Sequence, residues 1–243
     1  MVPTELGKQL YVQIIASIEN LEQVETGFNR LTYHKQATLK IGSPKEFFQR
    51  VLVSKLYKSS SKLWIQFGLT TDLMQELEQG QLNFVIATHK TKESENVVYE
   101  AILKETFIII GSANLDIADF KKAINQNDKK EIEHWLLQQN WLSYGSNLAF
   151  IRRFWLQNFL KRPRINPKII IPDLYHIALA VAEGNGISIV SDYLVKDLLE
   201  TKVIFNLWSG AEPTTNILYL AYDKTKVSVA QVAEMKMMIN DVS

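Results

Sequence analysis

The stretch Lys168–Ser191, KIIIPDLYHIALAVAEGNGISIVS, spells out a strand, a helix and a second strand. Ile169, Ile170 and Ile171 form a β-branched run without polar alternation, the pattern of a strand buried on both faces of a parallel sheet. Pro172 ends it. Asp173 then stands where a helix cap belongs, ahead of Leu174, Ile177, Ala178 and Val181 at helical spacing, with Ala180 and Ala182 keeping the flanks thin. Gly184 closes the helix and Gly186 lets the chain turn into Ile187–Val190. Two parallel strands joined by a helix cross over right-handed in nearly all known proteins. Ligands of open α/β sheets bind beyond the carboxyl ends of the strands, which is where Asp173 stands.

Working outward toward the N-terminus, the same unit recurs. Leu39–Ile41 reads as a strand ending at Gly42, and Ser43, Pro44 and Glu46 then make a capping box ahead of Phe47, Phe48, Val51, Leu52 and Leu56. A second strand, Leu63–Phe67, leads through Gly68 to Thr70, Thr71 and Asp72 and a helix carrying Leu73 and Leu77. A third, Phe84–Ala87, ends at Thr88 and His89, so three successive strands deliver hydroxyl residues at their carboxyl ends. Before all of this, residues 4–33 read as one long helix in which Leu10, Ile14, Leu21, Val24, Phe28 and Leu31 fit alternating a and d positions. That seam suits a two-helix dimer interface, although an amphipathic helix packed on its own domain would show the same pattern.

Beyond the third strand, Val97–Ala101 and Thr106–Gly111 read as strands with no helix between them, either an antiparallel pair or a passage into another lobe. Residues 116–139 read as one polar helix. The α/β rhythm resumes with Trp141–Tyr144, the turn Gly145-Ser146-Asn147 and a helix Leu148–Leu160, which leads into the opening stretch. Val203–Leu207 and Ile217–Tyr222 are late strands, and Val229–Ile239 is a closing helix. The whole describes two half-sheets linked by two strand passages, with a cleft facing the strand ends.

Composition narrows the function. The chain has 243 residues, 47% hydrophobic and 22% charged, with a formal net charge of +1 and no cysteine. Net charge gives no general pull toward nucleic acid, and neither a disulfide framework nor a thiolate zinc site is possible. No segment approaches the roughly 18 consecutive apolar residues of a membrane span and no signal peptide opens the chain, so a cytoplasmic protein that binds no membrane is expected. His34, His89, His134 and His176 are dispersed, with no H-x-x-x-H or H-E-x-x-H pair for a metal. G-N-G at Gly184–Gly186 follows a helix, the reverse of the dinucleotide fingerprint, and no G-x-S-x-G turn is present. The expectation is a binding protein without cofactor or metal, not an enzyme. Four helix starts, at Ser43, Thr70 or Thr71, Ser146 and Asp173, converge on the cleft with unpaired N–H groups and positive dipole ends, which suits a small anionic metabolite. Asp173 caps its own helix first and would repel an anion if its carboxylate faced the cleft.

Several segments in order resemble the LysR-type transcriptional regulators. P-T-E-L-G at Pro3–Gly7 is similar to the L-T-x-x-G that opens that family's dimerising linker helix, with Pro3 in place of leucine. K-I-G at Lys40–Gly42 resembles its first effector-domain strand, L-E-Q-G-Q-L-N at Leu77–Asn83 its L-x-x-G-x-L-D, and Val181–Ser191 its V-A-x-G-x-G-I-x-x-x-P, with Ser191 replacing the proline. The resemblance implies a type 2 periplasmic-binding-protein-like α/β fold: two lobes joined by two crossover strands, preceded by a long linker helix. It implies residues 1–36 as linker and dimerisation helix, 37–110 plus 217–243 as the first lobe and 111–216 as the second. It further implies a homodimer or homotetramer, a small-molecule effector in the inter-lobe cleft, and DNA contact only through an N-terminal helix-turn-helix that this chain is expected to lack. Carried over by position, the effector contacts are Ser43, Thr70, Thr71, Thr88, Tyr144, Ser146, Asn147, Pro172 and Asp173. A solute-binding receptor of the same fold is the alternative.

Overall fold

The computed structural model describes residues 4, 14, 38–91 and 95–239. The chain divides into residues 1–38 and 39–243, and the elements below belong essentially to the second unit. Of the predicted heptad seam only Ile14 is described; it is helical and half-exposed. Leu10, Leu21, Val24, Phe28 and Leu31 lie outside the described residues.

Strand β1 (Thr38–Ser43) is followed by α1 (Lys45–Phe47), which runs on through a wide π turn (Phe48–Leu52) and a tighter 3₁₀ stretch (Val53–Lys58). Then come β2 (Lys62–Phe67), α2 (Thr70–Glu78) and β3 (Phe84–Ala87). The two strands predicted after β3 are one, β4 (Val97–Ser112), which passes from one half-sheet to the other with irregularities between Ala101 and Leu103 and between Ile109 and Ile110. The predicted helix over 116–139 is two, α3 (Ala118–Asn125) and α4 (Lys129–Leu137). Asn127 adopts a left-handed conformation and the Asp128 carboxylate accepts the N–H groups of Lys130 and Glu131, so a capping side chain starts a new helix where periodicity suggested continuation.

The second half contains β5 (Leu142–Ser143), α5 (Ala149–Phe159), β6 (Ile169–Ile170), α6 (Leu174–Ala182) and β7 (Ser188–Ser191). After a 3₁₀ turn (Asp192–Val195) come α7 (Lys196–Glu200), β8 (Ile204–Trp208), β9 (Thr214–Asp223) and α8 (Val229–Ile239). The opening stretch folds as read, with two corrections. β6 and β7 are not neighbours: β5 pairs in parallel with β6, and the bridge Trp141 to Ile187 joins that pair to the start of β7. β6 is therefore an edge, and Ile170 is 50% exposed rather than buried on both faces.

The main sheet runs β2–β1–β3–β9–β4–β7, with β8 also paired to β4. β1 and β3 are parallel, while β9 lies antiparallel to both β3 and β4. β4 and β9 are thus the two crossover strands joining two α/β lobes. Period-two alternation splits the buried strands between faces. Phe84 and Ile86 pack with Phe47, Leu52 and Met235, whereas Val85 and Ala87 pack under Leu73 and Leu77 of α2. In the second lobe Phe107 and Ile109 join Phe120, Phe154 and Trp155, while Ile108 and Ile110 join Ile177, Val181 and Val190. Each such aliphatic side chain contributes about 1.5–3 kcal/mol by burial, which fixes the strand ends that carry the polar residues.

Candidate functional site

The predicted capping box does not form. Pro44 occupies the cap position of α1 in extended conformation, and the buried Ser43 hydroxyl donates to the Pro44 carbonyl at 2.9 Å instead of accepting from the helix. The Pro44 carbonyl also accepts the Phe48 N–H at 3.1 Å, so the Ser43 hydroxyl shares an acceptor already used by the helix. At α2 the cap position falls to Leu69, which offers no side-chain acceptor, and Thr70 turns its hydroxyl to the neighbouring strand end. Thr70 Oγ1 accepts the Thr88 N–H at 3.0 Å and lies 2.9 Å from Thr88 Oγ1. The structure thus joins Thr70 and Thr88, two of the predicted positions, while Thr71 is exposed beside them. In the second lobe Asn147 Oδ1 accepts the Ala149 N–H at 3.2 Å and so starts α5, Ser146 is exposed, and the Tyr144 ring meets Phe150 edge-on.

Asp173, next to the exposed Pro172, caps α6 as expected: Oδ1 accepts the His176 N–H at 3.0 Å, with His176 Nδ1 also at 3.0 Å. Its other oxygen, Oδ2, is 2.6 Å from Lys45 Nζ, 128 residues away and in the other lobe. Burial pushes the Asp173 carboxyl up, but the Lys45 hydrogen bond and the His176 contacts outweigh it and hold the group at about 2. Glu46, beside Lys45, is raised by burial and by the Asp173 charge, against hydrogen bonds from its own backbone and that of Leu174, the first residue of α6. Burial, then Glu46 and Asp173, raise the Tyr144 hydroxyl. Lys45, Glu46, Tyr144 and Asp173 therefore form one cluster spanning the lobes, and the N-terminus of α6 is already supplied with two carboxylates.

A second cluster sits where the crossover strands meet. Glu105 of β4 is buried; Asn216 of β9 donates its Nδ2 to Glu105 Oε1 at 3.0 Å and to the Thr88 carbonyl at 3.1 Å, and the Ser191 hydroxyl at the end of β7 donates to Glu105 Oε2. Burial raises the Glu105 carboxyl more than Ser191, Asn216 and the nearby Arg153 lower it. Asn216 links this carboxylate to the Thr70–Thr88 pair, so first-lobe strand ends and the second lobe share one hydrogen-bonded floor.

Sequence reasoning missed Lys45, Glu46, Glu105 and Asn216. A signal existed for Glu105, the one carboxylate flanked by Thr106–Ile110 in a strand pattern, since a lone acid in a buried run demands partners. For Lys45 nothing local distinguished it from any lysine in a first helical turn. Among the described residues no group of three or more His, Asp or Glu side chains could hold a metal ion, and no helix is long and apolar enough to cross a membrane.

Residues 34–242 match the family model for the LysR substrate binding domain. A comparison with curated protein sequences finds no match. Similar solved structures include the C-terminal domains of a LysR family protein from Agrobacterium tumefaciens, at 13% identity and TM-score 0.65, covering 84% of this chain and 95% of that one. The regulatory domain of CrgA, a LysR-type transcriptional regulator from Neisseria meningitidis, is similar at 14% identity and TM-score 0.63, covering 86% and 100%. ArgP from Mycobacterium tuberculosis is similar at 10% identity and TM-score 0.69, covering 93% and 73%. At such identities the likeness to these structures shows the fold alone, and it agrees with the two-lobed type 2 periplasmic-binding-protein-like architecture.

Proposed function

Because the chain belongs to the LysR substrate-binding domain family, we propose that it senses a small metabolite in the cleft between its lobes and passes that event to a dimer or tetramer of a DNA-binding regulator. Effector contacts come from Ser43, Thr70, Thr71 and Thr88 on the first lobe and from Tyr144, Ser146, Asn147, Pro172 and Asp173 on the second. One observation supports the reading above others: the segment after β1 and the loop after β6 meet at 2.6 Å through Lys45 and Asp173, with Tyr144 in the same cluster. Ends of strands from both lobes therefore face one space, as a ligand held between lobes requires.

The guest is a small anion, and its charged group lies toward α2. There the first-turn N–H groups lack a side-chain cap and the Thr70 and Thr88 hydroxyls stand alongside, a favourable place for negative charge. At α6, Asp173 and Glu46 oppose a further anion. Effector binding acts on the oligomer only through its different affinity for two lobe arrangements. Contact with DNA is assigned to a helix-turn-helix domain ahead of the linker helix, and the seam Leu10, Ile14, Leu21, Val24, Phe28 and Leu31 to the dimer.

A thermal-shift screen of small carboxylates and phosphorylated metabolites tests this. A ligand at 100 times its dissociation constant adds about 2.7 kcal/mol, which in a chain of this size raises the midpoint by about 5–10 °C. Hits should lose most of that shift in Thr70→Ala and Ser43→Ala proteins that fold normally. Undiminished shifts in both variants would place the binding site elsewhere, and a screen without hits would count against an anionic metabolite.

A further inference from the structure

The segment that begins at α1 touches the second lobe through three side chains. Its inner face is fixed in the first-lobe core by Phe47, Val51 and Leu52. From its outer face Lys45 reaches Asp173 at 2.6 Å, Glu46 lies against the start of α6, and Arg50 reaches α7 and the turn before it. The Arg50 guanidinium is 3.3 Å from Asp197 Oδ1 and donates from Nε to the Tyr193 carbonyl at 3.2 Å. The acceptors are fixed by the second lobe: Asp173 is held by capping α6, and Tyr193 is main chain in a turn whose neighbours Leu194 and Val195 are buried. The donors are long side chains at the water's edge, with Lys45 46% and Arg50 31% exposed. The covalent connection between lobes runs through β4 and β9. The lobes are thus joined by the crossover strands, by the hydrogen-bonded floor at Glu105 and Asn216, and by these ion pairs at the water's edge.

We propose that Lys45 and Arg50 form a polar latch that holds the two lobes together and releases when its ion pairs are screened or replaced. Each pair alone is modest, but both sit on one segment and act together, so losing them loosens the lobe contact on that side. Resting on the cleft reading above, an effector entering between Ser43 and Asp173 meets Lys45 first and has to displace it. The latch then opposes entry and couples it to lobe movement.

The chain has no cysteine, so a pair of introduced cysteines labels it uniquely. Gln75→Cys on α2 and Gln157→Cys on α5 are both exposed and lie on different lobes. With spin labels at these sites and no ligand added, pulsed electron resonance gives the inter-lobe distance distribution. At low salt a narrow distribution is expected, moving to longer distance and broadening in about 1 M sodium chloride, where screening acts over about 3 Å. In Lys45→Met/Arg50→Met protein the distribution should already be long and broad at low salt and should not respond to salt. A wild-type distribution indifferent to salt, one broad from the start, or a double variant that matches the wild type overturns the latch. Because the salt arm uses unaltered latch residues, poor folding of the variant does not rescue the idea. The experiment contains no metabolite, so its failure is separable from failure of the thermal-shift screen.

Discussion

Asp173 performs two tasks with its two oxygens, capping α6 through Oδ1 and receiving Lys45 from the other lobe through Oδ2. Asparagine retains an acceptor for the cap but loses the charge, so Asp173→Asn isolates the ion pair; Asp173→Ala removes the cap as well, at a further cost of about 1 kcal/mol. The folded carboxyl is held at about 2, against about 3.9 in an unfolded chain. A depressed folded value means stability that is complete above the unfolded value and disappears as pH falls through the folded one. Urea midpoints of wild type and Asp173→Asn are therefore expected to differ at pH 7 and to converge near pH 2. A difference that stays constant across that window would show that the carboxylate's charge is not what the substitution removed. Capping was legible in the sequence because it acts over three residues. The Lys45 pairing was not, since its partner lies 128 residues away.

The opening strand–helix–strand unit depends on how closely its last turn approaches β5. Gly184 and Gly186 both have positive φ, +80° and +145°, but their surroundings differ. A Cβ on Gly184 meets nothing within 4 Å, whereas one on Gly186 would stand 2.1 Å from the Asn140 carbonyl oxygen, the same oxygen that accepts the Ile187 N–H. Gly184→Ala is expected to cost about 1–2 kcal/mol, the strain of a left-handed alanine. Gly186→Ala should cost roughly 3 kcal/mol or more, because strain and collision add and the bridge to β5 is pushed apart. Urea denaturation of the two variants side by side measures this, and equal losses would contradict the close approach. At this scale the sequence placed both glycines correctly and misjudged the strand beside them. A β-branched triplet reads the same at a sheet's edge as at its centre, and only the pairing of β5 and β6 decides that Ile170 faces solvent.

Across the whole molecule, β4 and β9 are shared by both lobes and pair with one another from Val97 and Asp223 to Phe107 and Thr214. Neither lobe's sheet is complete without them, so the lobes should unfold together. Ile86→Ala in the first lobe and Ile109→Ala in the second each remove a fully buried side chain and should cost about 2–5 kcal/mol. Both are expected to lower the midpoint of one calorimetric transition, and two separable transitions would argue for independent lobes. The alternation of strands and helices, most of their limits, the cap at Asp173 and the family resemblance were legible along the chain, because periodicity, turn chemistry and capping act within a few residues; the helix start expected at Ser146 was not, since Asn147 accepts the Ala149 N–H instead. Tertiary structure alone decided that 97–112 is a single crossover strand, that β5 separates β6 from β7, and that Lys45, Glu105 and Asn216 meet partners from the other lobe. Those outcomes depend on which strands lie side by side and which surfaces bury one another, and such long-range choices leave no period in the chain.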